Sequence, residues 1–163
     1  MKNTKRHNNK ANGERLLLVD DEESIRFIYP RIFKSMGFKV EVAEGLFDAE
    51  KMMNSVDLVV TDLKLKNGQG KLDQEQGIII CKRARKHGIP VILLSGFTTK
   101  MDRAEDYHAD MLLSKPVIRR KLNERILSKS FMKKVKARKN TRAKITHTKP
   151  FSLDTTMHHQ HPF

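Results

Sequence analysis

Hydrophobic positions in this chain gather in five short runs: Leu16–Val19, Val40–Ala43, Leu58–Val60, Val91–Leu94 and Met111–Leu113. Segments of helical period lie between them. Glu22–Met36 puts Ile25, Ile28, Ile32 and Phe33 on one face, Leu46–Met53 repeats apolar residues at helical spacing, and Gly77–His87 ends in basic residues before Gly88. Short strands alternating with helices predict a parallel sheet covered on both sides, and an uninterrupted apolar run such as Val91–Leu94 suits a strand buried on both faces. A last helix is predicted from about Pro116 through Leu122, Ile126 and Leu127, reaching as far as Val135. Beyond Lys136 no core-forming pattern remains. Pro30 opposes the first helix. In a helix interior it removes a donor and clashes with the preceding turn, at roughly 3 kcal/mol, so a kink or break is expected there while the helix itself survives.

Length and composition sharpen this picture. With 163 residues, 38% of them hydrophobic, the chain holds one domain with tails rather than two full domains. The formal charge of +14 is unevenly placed. Residues 1–15 carry five basic and one acidic side chain, residues 119–163 thirteen and two, and the middle fifteen and sixteen. A near-neutral body therefore sits between cationic flanks. The expected division is a basic flexible segment 1–14, a domain 15–130, and a basic, disordered tail 131–163. No apolar run approaches the roughly 20 residues of a membrane-spanning helix, and Leu16–Val19 is too short for a secretory core. A lone Cys81 allows no intrachain disulfide, and cysteine–histidine zinc spacing is absent. Cytoplasmic residence is the expectation.

Candidate chemistry lies at the strand ends, where ligands of parallel α/β sheets gather. Asp20 and Asp21 follow the first run, Asp62 the third, Ser95 ends the fourth and Lys115 follows the fifth, while the second run ends in nothing comparable. A doubly wound order 2-1-3-4-5 accounts for this, because strand 2 is then an edge. Three carboxylates brought together resist joint ionisation. Mg²⁺ relieves that conflict, since it takes one or two carboxylates, waters and a phosphate oxygen. Lys115 adds a mobile positive charge and Ser95 a hydroxyl donor, which suits an incoming phosphoryl group. A carboxylate nucleophile would then form an aspartyl-phosphate. Asp62, central and alone, is the candidate.

The strings LLLVDDEESIR, LVVTDLKL, VILLSG and LLSKP together resemble the receiver domain of bacterial two-component response regulators, over roughly residues 15–130. The resemblance implies a flavodoxin-like (βα)₅ fold and phosphorylation of Asp62 by a sensor histidine kinase or histidine phosphotransfer protein. It implies Mg²⁺ held by Asp21, Asp62 and the backbone carbonyl of Lys64, with Asp20 acting through water. It assigns Ser95 and Lys115 to the phosphoryl group and implies a cis Lys115–Pro116 peptide. Output would pass by contact to an unidentified downstream protein target, without enzymatic turnover of a separate substrate. The chain also departs from the pattern. Gly77, fifteen residues beyond Asp62, best fills the role of the family's helix-opening glycine, so the loop Lys64–Gln76 is about seven residues longer than usual. Leu112 stands where the family has an aromatic switch residue, and the segment between Ser95 and Lys115 is short, which predicts a small fourth helix.

Each strand-end residue has a bland alternative: Asp20–Asp21 as a helix start, Asp62 as a loop cap, Ser95 as a strand end, Lys115 as a surface lysine. All of them together require coincidence at four strand ends. Cys81 is expected to pack inside the third helix, and His158, His159 and His161 to belong to the tail rather than a metal site. Phe97 and Tyr107 flank a region that partners of this family read, or are ordinary packing. The segment KKVKARKNTRAK could neutralise nucleic-acid phosphates, lie against anionic lipid, or serve only for solubility. A nucleic-acid-binding adaptor built on a degenerate receiver is the alternative function.

Overall fold

A computed structural model describes residues 10–96 and 103–147. Five parallel strands form the central sheet: β1 (Arg15–Val19), β2 (Lys39–Ala43), β3 (Leu58–Asp62), β6 (Val91–Ser95) and β7 (Met111–Ser114). Between β3 and β6 in sequence, β4 (Leu65–Lys66) and β5 (Leu72–Asp73) make a small antiparallel hairpin. The sheet order is β2-β1-β3-β6-β7, so the five long strands alone follow the expected 2-1-3-4-5. Side chains alternate across the sheet. Leu16, Leu18, Leu58, Val60, Ile92 and Leu94 enter one apolar cluster, whereas Leu17, Val19, Val59, Val91 and Leu93 enter the other. Both faces are thus covered, which is why the strands carry unbroken apolar runs.

Helix α1 (Glu23–Ser35) packs on the first face, and α2 (Leu46–Met52) and α3 (Gln74–Lys86) on the second. The helix α1 runs unbroken through Pro30, which is buried between Tyr29 and Phe33; burial of that face offsets the missing hydrogen bond. Cys81 is buried in α3, and desolvation pushes its thiol up to about 12. The expected small fourth helix is a single 3₁₀ turn, Ala104–Tyr107, among the described residues.

Beyond Pro116 the structure departs from expectation. The last helix is two helices, α4 (Arg119–Ile126) and α5 (Lys129–His147). They part at Ser128, whose hydroxyl accepts from the Phe131 N–H, as a helix N-cap does. Phe131, Met132 and Val135 join the first core cluster, so the boundary expected at residue 130 falls inside a packed helix. Polar residues hold the rest of it. Asp110, just before β7, accepts from the Val91 N–H at 2.8 Å and pairs with Lys134 and with Arg138 at 3.2 Å. Asp57, just before β3, accepts from the Arg15 N–H at 2.9 Å and pairs with Lys139 at 3.1 Å. Arg142 donates to the carbonyls of Val56 (2.7 Å) and Asn54 (3.2 Å). Helix α5 therefore lies across the sheet edge where the strands begin, opposite their carboxyl ends. At the other terminus residues 10–14 are also packed. Ala11 is buried and its N–H reaches the Met36 carbonyl at 2.8 Å, while a Cβ on Gly37 (φ +98°) would lie 2.2 Å from the Ala11 oxygen. Phe97 and the three tail histidines lie outside the described residues.

Candidate functional site

Each residue of the site is placed by strand register. Parallel pairing of β1 with β3 (Val19 beside Thr61) brings Asp20 and Asp21 next to Asp62. Pairing of β3 with β6 (Asp62 beside Leu94) sets Ser95 one residue further along, and pairing of β6 with β7 (Ser95 beside Ser114) delivers Lys115. Lys64 sits two residues beyond Asp62, in the turn before β4, and the Lys115–Pro116 peptide is cis.

The ammonium of Lys115 lies 2.8 Å from Asp20 Oδ2 and 3.0 Å from Asp62 Oδ2. Asp20, Asp21 and Asp62 each offer an oxygen within 4.8 Å of the others. Backbone groups fix two of these carboxylates: Asp20 Oδ1 accepts from the Glu22 N–H at 2.9 Å, and Asp62 Oδ1 from the Leu63 N–H at 2.7 Å. Asp20 is wholly buried, whereas Asp62 keeps 15% of its side chain open to solvent. The nucleophile candidate is thus the reachable one. Ser95 is buried at its strand end.

Three carboxylates against one ammonium leave a surplus of about two negative charges. Burial raises the Asp62 carboxyl above its ordinary range, and the Asp20 charge adds to this; the nearby Lys115 only partly opposes it. Burial pulls Lys115 downward, but its hydrogen bond to Asp20 and the charges of Asp20 and Asp62 outweigh that and hold the ammonium above its usual value. The donor set is all hard oxygen with a net double negative charge. Mg²⁺ takes hard oxygen ligands of this kind, and the three carboxylates offer theirs within 4.8 Å of one another. The residues fit a small divalent cation.

Four contacts were not legible in the sequence. Lys66, in the inserted hairpin, lies 3.9 Å from Asp21 Oδ2. Arg26 donates to the Asp20 carbonyl at 3.0 Å, and Tyr29, buried in α1, faces the charges of Lys115 and Asp20 and bonds to the Val117 backbone. Gly77 packs on the phosphoacceptor candidate's own backbone. A Cβ there would lie 2.5 Å from the Asp62 carbonyl and 2.4 Å from that of Leu63. Leu112, in place of an aromatic, packs against the second core cluster together with Tyr107.

A doubly wound α/β sheet carrying an acidic cluster and a lysine at its carboxyl edge is the arrangement of signalling phosphoacceptor domains. Residues 16–127 match the response regulator receiver domain family, and the chain belongs to it. It is similar to the probable transcriptional regulator ycf27 of Cyanidium caldarium, 33% identical over 127 residues, covering 74% of this chain and 48% of that protein. It is 30% identical over 120 residues to the alkaline phosphatase synthesis transcriptional regulatory protein PhoP of Bacillus subtilis, covering 70% and 47%. The chain spans about half the length of these two relatives. In fold it is similar to a CheY-like receiver domain protein from Methanospirillum hungatei, with a TM-score of 0.61 at 23% identity, covering 79% of this chain and 98% of that one. No helix among the described residues is long and apolar enough to cross a membrane.

Proposed function

We infer that the chain is a phosphoacceptor of a two-component phosphorelay, with Asp62 taking the phosphoryl group from a histidine kinase or histidine phosphotransfer protein. The observation that carries this is the convergence of Asp20, Asp21 and Asp62, with Lys115 about 3 Å from two of them and Asp62 the more open of that pair. Asp21, Asp62 and the Lys64 carbonyl would hold Mg²⁺, with Asp20 acting through water. The ion supplies charge neutralisation for the carboxylates and for phosphoryl oxygens. An Asp62 oxygen attacks phosphorus; the new O–P bond forms as the donor's P–N bond breaks, and the electron pair leaves with the histidine nitrogen. Lys115 transfers its attention from the free carboxylate to a phosphoryl oxygen, and the Ser95 hydroxyl donates to another. Pro116 follows Lys115 directly and shapes the turn that presents it. Output runs through protein contact in the cytoplasm.

Incubation with acetyl phosphate and Mg²⁺ tests this. Wild type should gain one phosphoryl mass, labile to hydroxylamine, and Asp62→Asn should gain none. An unmodified wild type, or equal labelling of the variant, rejects Asp62.

A further inference from the structure

Helix α5 carries its positive charge on two faces. Lys134, Arg138, Lys139 and Arg142 are engaged by Asp110, Asp57 and two carbonyls at the sheet edge. Lys129, Lys133 and Lys136, followed by Asn140, recur at intervals of four, three and four residues and so share a different face. With Lys10 and Asn12 from the segment before β1, they line a groove of about 650 Å³. All four lysines of the groove are exposed, and none has a carboxylate partner among the described residues. Lys129 opens α5, where the helix dipole adds to its positive potential.

We propose that this groove binds the phosphate backbone of a double-stranded nucleic acid without reading its sequence. Its lining is what favours phosphate over the other anionic partners. Lysine is a point-charge donor suited to phosphate, but it is depleted at protein–protein interfaces, which are anchored by aromatic residues and arginine; neither lines the groove, and its apolar members Leu127 and Met132 are buried in the core beneath it. Single-strand sites need aromatic stacking platforms, and none is present there. Lys129 to Asn140 spans about 16 Å of helix, room for several phosphates of one strand, to which Asn12 and Asn140 offer neutral donors. The groove lies at the edge where the strands begin, opposite Asp62, and does not depend on the phosphoacceptor role.

The test uses the full chain and a labelled, random-sequence DNA duplex, with affinity followed by fluorescence anisotropy across a salt titration. Two triple variants are compared. Lys129→Gln/Lys133→Gln/Lys136→Gln leaves Lys10 as the groove's remaining charge, and Lys82→Gln/Arg85→Gln/Lys86→Gln removes equal charge from exposed positions on α3. The groove variant should bind more weakly, with the slope of log affinity against log salt shallower by about 2.7, whereas the α3 variant should keep the wild-type slope. Equal slopes for the two variants, or no duplex binding by wild type at low salt, overturn the proposal. Tighter binding of polyglutamate than of duplex also overturns it and gives the groove to an acidic protein.

Discussion

Replacing Asp110 by alanine should unfasten α5 from the sheet edge. The variant leaves the Val91 N–H without its acceptor, at about 1–3 kcal/mol for a buried donor. It also dissolves the pairs with Lys134 and Arg138, both partly exposed and so worth about 0.2–1 kcal/mol each. The total is about 1.4–5 kcal/mol, and its midpoint of ~3 kcal/mol corresponds to about 10 °C in Tm for a domain of this size. Asp110→Asn keeps an acceptor for Val91 and loses only charge, so about 3 °C is expected. The pH dependence carries a sign. Burial alone would raise the Asp110 carboxyl, but the Lys134 hydrogen bond, the Val91 N–H and the Arg138 charge outweigh it and hold the group below its usual range. Its contribution is therefore complete above the unfolded carboxylate pKa, about 3.9, and disappears as pH falls through the lower folded value. Thermal melts by circular dichroism at pH 7 and along a descending series to pH 3 read both effects. An alanine variant that melts with wild type, or a gap that stays constant in acid, refutes the fastening role of Asp110.

Three further outcomes follow from the site. Gly77→Ala places a Cβ within 2.5 Å of the Asp62 and Leu63 carbonyls, so α3 must shift off the backbone around Asp62; a loss of about 2 kcal/mol in denaturant melts is expected, with slower labelling by acetyl phosphate. Lys66→Met removes a cation 3.9 Å from Asp21 and should tighten Mg²⁺ binding, measured by calorimetry, by about two- to fivefold, since the lysine is exposed. Asp62→Asn relieves a buried carboxylate that the fold holds at a cost, and in EDTA at pH 7 it should raise Tm by a few degrees; a lower Tm would mean that the Lys115 pairing outweighs burial.

The two-sided sheet was legible because period-2 patterning fails in an informative way: Leu16, Leu17 and Leu18 are all apolar since alternate members enter opposite clusters. The strand-end residues were legible because register in a parallel sheet carries Asp20, Asp62, Ser95 and Lys115 to one edge whatever the loops do. Lys66 and Arg26 were not, since each reaches the site from a segment whose own period says nothing of where its tip ends. Their signals are tertiary.

The basic C-terminal segment shows why charge cannot be assigned from counts. KKVKARKNTRAK has no carboxylate within it, and as a string it looks like free positive charge. Yet Lys134, Arg138 and Arg142 recur every four residues and form one stripe with Lys139 beside it, and the carboxylates that meet these cations come from afar: Asp110 bonds Arg138 from 28 residues away in sequence and Asp57 bonds Lys139 from 82 residues away. Both acids already clip a neighbouring strand's N–H, so the same two side chains close the sheet edge and seat the helix. At the opposite edge the balance is reversed, with three carboxylates facing one ammonium. At the edge where the strands begin, Asp57 and Asp110 are met by cations of the same chain, whereas the opposite edge keeps a surplus of negative charge that a bound cation would offset. Loss of α5's cations should therefore lower stability without changing Mg²⁺ affinity, and loss of Lys115 should change both; a variant of Lys134 and Arg138 that weakens Mg²⁺ binding at unchanged fold would show that the two edges are coupled.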